Sequence, residues 1–190
     1  MDALIKRSPA LAQQVIVGDE QINALRYKIE ETCLRVLATQ FPAASDLRRV
    51  IAVIHIATEL ERIGDHASGI ARLVERMIGE PPIPDLYHLP KMANRTQQMI
   101  RNSLQAYISL DVDKAHEVIR RDEKIDRQYS KFLKVMFKEL KSEDPDNEIT
   151  VATYLLWMGH NLERIGDRVT NIAERIIFMV TGEFIEYDVD

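Results

Sequence analysis

"LERIGD" stands at Leu60–Asp65 and again at Leu162–Asp167, and the architecture of the chain follows from this pair. A six-residue string seldom recurs by accident in 190 residues. Worked outward, "TELERIGDHASGIAR" from Thr58 lies over "HNLERIGDRVTNIAE" from His160. Upstream, "SPALAQQVIVGDEQIN" from Ser8 lies over "DVDKAHEVIRRDEKID" from Asp111, with the offset changed by one residue. Asp19 then matches Asp122, Ile22 matches Ile125, and Asn23 matches Asp126. The chain is an internal duplication.

The period is helical throughout. Val50, Val53, Ala57, Leu60, Ile63, Ala67, Ile70 and Val74 recur at spacings of three and four, as on one long amphipathic helix. "FPAAS" before it reads as a turn with a serine cap. "GEPPIP" at Gly79–Pro84 ends it, because successive prolines remove the donors a helix needs. After this linker, "LPKMANRTQQMIRNSLQAYIS" carries apolar spacing through Met92, Met99, Ile100, Leu104 and Ile108, and nothing in the first half matches it. The expected fold is all-α, two tandem three-helix bundles over residues 1–80 and 85–190, the first lacking most of its first helix. Two accounts of that gap stand open, a trimmed start or a variant whose partner subunit covers it. Either leaves an apolar groove on the first repeat.

Within the repeats, carboxylates are spaced by four. Glu61 with Asp65 and Glu163 with Asp167 share one face of the third helix of each repeat; Asp122 with Asp126, and Asp19 with Asn23, do so on the second. In an antiparallel hairpin the midpoint of every facing pair falls in the turn. Asp19 with Asp65 and Asn23 with Glu61 share a midpoint at Pro42, in "FPAA". Asp122 with Asp167 and Asp126 with Glu163 share one between Asp144 and Pro145, in "KSEDPDNE". Both lie where turn chemistry belongs, so the acidic pairs are expected to converge, flanked by Leu34 and Ile54.

Four anions crowded at reduced dielectric repel, and desolvation adds to the cost. Raised pKa values or a bound cation would compensate. Arg62 and Arg164 point away from this face on a helical wheel and serve better as outer partners. Oxygen ligands select hard ions such as magnesium, manganese, calcium or iron, and bridging carboxylates admit more than one. The second site, with four acids, should bind more tightly than the first, where Asn23 brings an amide. The competing reading is a solvated ion-paired helix face. His160 and Asn171 lie on the same side and are further candidates; His55, His66, His88 and His116 show no ligand spacing.

Composition narrows the function. Hydrophobic residues make up 46% and charged residues 29%, as in a globular protein, and the net charge of -5 gives no footprint for nucleic acid. The run "VIAVI" at Val50–Ile54 is far short of the roughly 20 residues a membrane-spanning helix needs. The start "MDALIKRSPALAQQ" lacks a secretory signal and Cys33 has no second cysteine to pair with, so the cytoplasm is the expected location. Cys33 falls in an apolar stripe and reads as a buried small residue.

"VIVGDEQIN", "LERIGDHASGIAR", "VIRRDEKID" and "LERIGDRVTNIAER" resemble the PhoU family of phosphate-uptake regulators of bacteria and archaea. The likeness covers almost the whole chain. It implies two three-helix bundles whose E(D)xxxD motifs, here Glu61 with Asp65, Asp122 with Asp126 and Glu163 with Asp167, hold multinuclear metal clusters. The family's metals include iron, with zinc, nickel, manganese or magnesium in some members. It further implies a cytoplasmic, commonly dimeric, non-catalytic protein. Such a protein damps the phosphate-sensing histidine kinase and associates with the ATPase subunit of the phosphate ABC transporter. Asn23 departs from the acidic pattern.

Two other classes compete. A carboxylate-bridged di-iron enzyme needs Glu-x-x-His pairs, and no Glu here is followed three residues later by His. No G-x-S-x-G, P-loop or Cys-His arrangement supplies other catalytic machinery. The third class is a metal-free helical interaction module.

Overall fold

A computed structural model of the chain describes residues 1–80, 86–140 and 149–185. Within them run six helices: α1 (Asp2–Ile5), α2 (Pro9–Gln40), α3 (Ala44–Arg76), α4 (Leu89–Ser109), α5 (Val112–Leu140) and α6 (Ile149–Thr181). The unmatched segment of the second half is α4, with the bounds its apolar spacing predicts. The prolines of the linker and the second turn, "KSEDPDNE", lie outside the described residues.

The duplication is visible in the helix caps. The Ser8 hydroxyl accepts from the Leu11 N–H at 3.3 Å, and the Asp111 carboxylate accepts from the Lys114 N–H at 2.9 Å. These are matched positions, each satisfying a donor that the first turn leaves open. α2 then ends at Gln40, Phe41 turns left-handed, and α3 begins at Ala44, so the hairpin centres on Pro42 as its pairings require. The expected serine cap is not made: the N-cap is Ala43, with no side-chain hydrogen bond, and Ser45 lies inside the first turn.

The two repeats meet through their third helices. α3 and α6 run antiparallel, with Glu59 against Arg168 and His66 against Asn161. By the "LERIGD" match, Asn161 is the counterpart of Glu59 and Arg168 the counterpart of His66. The same contact is therefore made twice about a pseudo-twofold axis that passes near Ile63 and Ile165. α4 and α5 pack on α6 to complete a three-helix bundle. α6 consequently buries Leu155, Met158, Leu162, Ile165, Ile172, Ile176 and Ile177 among others.

The first bundle is unequal to the second. α1 has four residues and buries only Ala3 and Leu4, so it covers little of α2 and α3. Val118, Ile125 and Phe132 on α5 are fully buried, whereas their counterparts Val15, Ile22 and Ile29 on α2 are exposed by 42%, 37% and 36%. The expected apolar groove is present. Cys33 is buried, as its stripe predicts, and burial pushes its thiol pKa up. Ile108, the last residue of the α4 apolar spacing, stands exposed at the final turn of the helix.

Candidate metal centre

Gly166, in the second "LERIGD", explains how the acidic face forms. A methyl group there would come within 2.6 Å of the Asp122 carboxylate, and one at Gly64 within 3.0 Å of the Asp19 carboxylate. The glycine of each hexapeptide thus admits an aspartate from the neighbouring helix against the backbone. Leu162 and Ile165 anchor the other side of the α6 turn in the core, and Glu163 and Asp167 line the face itself.

At the second site Asp122 and Asp126 on α5 face Glu163 and Asp167 on α6 closely enough for their charges to raise one another's pKa values. Asp122 is only 5% exposed. Burial, and then its acidic neighbours, push its pKa up to about 7 against the pull of a hydrogen bond donated by the Thr170 hydroxyl at 2.9 Å. Burial and the Asp167 charge raise Glu163 to about 7 as well. Asp126 and Asp167 are raised, in each case chiefly by burial. Asp122 Oδ1 and Glu163 Oε2 are buried with no hydrogen-bond partner among the described residues. Buried carboxylate oxygens without donors are the atoms a cation would satisfy. Among the described residues, no three His, Cys, Asp or Glu groups already close round a single ion position. The four carboxylates are of the donor type a hard cation takes, and two of their buried oxygens lack hydrogen-bond partners, but as placed they do not enclose an ion.

The first site differs from the second at several matched positions: Ser68, whose Oγ has no hydrogen-bond partner among the described residues, stands for Thr170 and Thr58 for His160, and two further changes alter its charge. Asp19 lies against Gly64 and feels Asp65, so that burial and this neighbour raise its pKa; its Oδ1 has no partner. Asn23 replaces an acid, as the sequence shows. In addition Arg26, where the second repeat has Tyr129, places its Nε 3.6 Å from Glu61 and its Nη1 2.6 Å from Glu30. An arginine already neutralises this face. The sequence reasoning missed Arg26, although the match of Arg26 to Tyr129 would have revealed it.

Three expectations are corrected. Arg164 does not point away: its Nη1 lies 2.8 Å from Asp167 Oδ2, because a long side chain bends back along the helix to a residue three positions on. Arg62 does stay outside, against Glu59 at 3.4 Å. Leu34 does not wall the site, since it is 62% exposed where the first bundle lacks cover; Ile54 is half-buried. Asn171 joins the interface between repeats, donating to Glu59 Oε2 at 3.2 Å beside Arg168. His160 remains at the site's edge, with Nδ1 3.6 Å from Glu163. His66 donates from Nδ1 to Asn161 Oδ1 at 3.0 Å.

A duplicated helical bundle carrying an acidic face on each repeat defines the class, and comparison with known proteins supplies the family. The family model described as "PhoU domain" matches residues 1–74 and 89–176. The chain is 36% identical to the phosphate-specific transport system accessory protein PhoU homolog of Clostridium acetobutylicum, over 98% of this chain and 84% of that protein. It is 37% identical to the homolog of Pseudomonas aeruginosa, over 98% and 77% respectively. The crystal structure of PhoU from Pseudomonas aeruginosa superposes with a TM-score of 0.90 at 38% identity, covering 96% of this chain and 87% of that one. The phosphate transport system regulatory protein PhoU from Streptococcus pneumoniae gives 0.89 at 32% identity, covering 97% and 86%. The chain belongs to the PhoU family. That family is one of regulatory accessory proteins and not of enzymes.

Proposed function

We propose that this protein is a metal-binding regulatory adaptor of phosphate transport, acting in the cytoplasm as a negative regulator of phosphate-starvation signalling. Its partners in this reading are the ATPase subunit of the phosphate ABC transporter and the phosphate-sensing histidine kinase, and it works as a homodimer. Family membership, and relatives that are phosphate transport accessory and regulatory proteins, support the phosphate-transport assignment. Among the described residues no helix is long and apolar enough to cross a membrane, which fits an adaptor that reaches the transporter by docking.

The observation that carries the metal reading is the set of four acids between α5 and α6, with raised pKa values and partnerless buried oxygens. Asp122, Asp126, Glu163 and Asp167 would hold the ion or ions; iron is the first candidate, followed by zinc, nickel, manganese or magnesium. A cation held there would supply the positive charge that lets the carboxylates of α5 and α6 face one another in ionised form. Asp19, Asn23, Glu61 and Asp65 form a weaker site, because an amide replaces one acid and Arg26 occupies part of the field. Glu163→Gln with Asp167→Asn, introduced into the chromosomal copy, tests the link to function. Derepressed phosphate-starvation reporter expression in phosphate-rich medium, at normal protein level, is the expected result. A fully repressed reporter with a metal-free protein would remove the metal from the regulatory mechanism.

A further inference from the structure

α4 and α5 enclose a groove of about 500 Å³ on the side of the second bundle away from the acidic face. Its cations are Arg95 from α4 and Arg120, Arg121, Lys124 and Arg127 from α5. Two acids also line it and hold cations in place: Glu117 pairs with Arg121 at 2.6 Å, and Glu123 with Arg127 at 3.5 Å. Arg95 donates to the Lys124 carbonyl at 3.1 Å and to Gln128 Oε1 at 2.8 Å. The Arg120 and Lys124 side chains have no ion-pair partner among the described residues. Three positive charges are thus in excess on a chain whose net charge is -5.

The duplication shows that this charge is particular to one repeat. The buried positions of α5 keep their counterparts, with Val118 over Val15, Asp122 over Asp19 and Ile125 over Ile22. The outward positions do not. Arg120, Arg121, Lys124 and Arg127 stand over Val17, Gly18, Gln21 and Ala24. Helix formation and the acidic face need none of these cations, since the first repeat forms both without them.

We infer that the α4–α5 groove is an interaction surface for an acidic segment of a protein partner. Glu117 to Arg127 spans about 15 Å of helix, the reach of a short acidic stretch rather than of one small anion. The lining residues lie within helices, whose backbone N–H groups are already spent, so there is no backbone cradle for a phosphate. No aromatic ring lines the groove to stack a base. The interleaved Glu117 and Glu123 give the mixed pattern of charge that fits a protein surface and opposes a uniform polyanion. This inference is independent of the metal reading.

Fluorescence anisotropy with a fluorescein-labelled ten-residue peptide, in which two lysines interrupt a run of Asp and Glu to complement Glu117 and Glu123, tests it at low ionic strength, using the full chain. Arg120→Glu with Lys124→Glu, both exposed, should weaken binding at least tenfold, and added salt should weaken the parent complex. Arg35→Glu with Arg49→Glu changes the net charge equally on the first repeat and should leave affinity within about twofold. Equal affinity for the groove variant, or an equal loss in both variants, overturns the inference. So does tighter binding of a ten-unit polyphosphate or a ten-nucleotide single strand than of the peptide.

Discussion

Replacing Asp122 by Asn removes a charge from the most buried point of the acidic face while keeping its shape and its bond from Thr170. The ordinary pKa of this group is 3.8 and the fold raises it to about 7, so the folded chain holds the proton more tightly than the unfolded one. Its contribution to stability is therefore full below pH 3.8, falls as the pH rises, and is gone above about pH 7. A gap of about three pKa units corresponds to at most about 4 kcal/mol, and relaxation of the surrounding helices around the buried charge reduces this to roughly 2–3 kcal/mol. Glu163 shifts in the same direction and steepens the same decline. In urea unfolding of chelated protein, Asp122→Asn should exceed the parent by roughly 2–3 kcal/mol at pH 8 and by less than about 1 kcal/mol at pH 4.5, with unchanged m. Excess manganese at pH 8 should stabilise the parent and leave the variant nearly unmoved. A variant less stable than its parent at pH 8, or a difference independent of pH, would refute the reasoning.

Other perturbations have equally definite outcomes. Glu59→Ala strips the shared acceptor from Arg168 and Asn171 between the repeats and should cost about 1–3 kcal/mol by chemical unfolding; an unchanged midpoint would mean the interface stands on apolar packing alone. Gly159→Ala drives a methyl to 2.5 Å from the buried Phe132 ring. Overpacking of about 1–3 kcal/mol should outweigh the roughly 1 kcal/mol gained in helix propensity, giving a lower thermal midpoint; a higher one would show that the ring moves freely. Asn23→Asp with Arg26→Tyr gives the first face a fourth acid and removes its arginine, and should add a second class of manganese sites by calorimetry, whereas an unaltered isotherm would mean that the acids alone do not set affinity.

Much of this was legible in the repeat. Two copies of one hexapeptide fixed the matching of helices, and the common midpoint at Pro42 brought Asp19 to Asp65 before any coordinates did. The apolar spacing of α4 was legible because the helix is amphipathic along its length, while its end is set by Leu110 turning left-handed. What the sequence concealed depended on tertiary choice or on side-chain reach. Duplication requires a symmetry axis without saying which helices lie on it, so the pairing of Glu59 with Arg168 could not be read. A helical wheel gives the direction in which a side chain leaves the backbone, and an arginine is long enough to reverse it, as Arg164 does toward Asp167. Leu34 looked like a wall because its stripe was apolar; whether a stripe is covered depends on a neighbouring helix, and α1 is too short to cover it.

Equilibrium dialysis against manganese, with elemental analysis of the dialysed protein, measures the ion-holding capacity of the acidic faces without reference to partners. The parent chain should retain at least one ion per chain, and Asp122→Asn with Glu163→Gln should lose the tighter class while keeping its helical content. Equal retention by the two proteins, or none by the parent, would contradict the account.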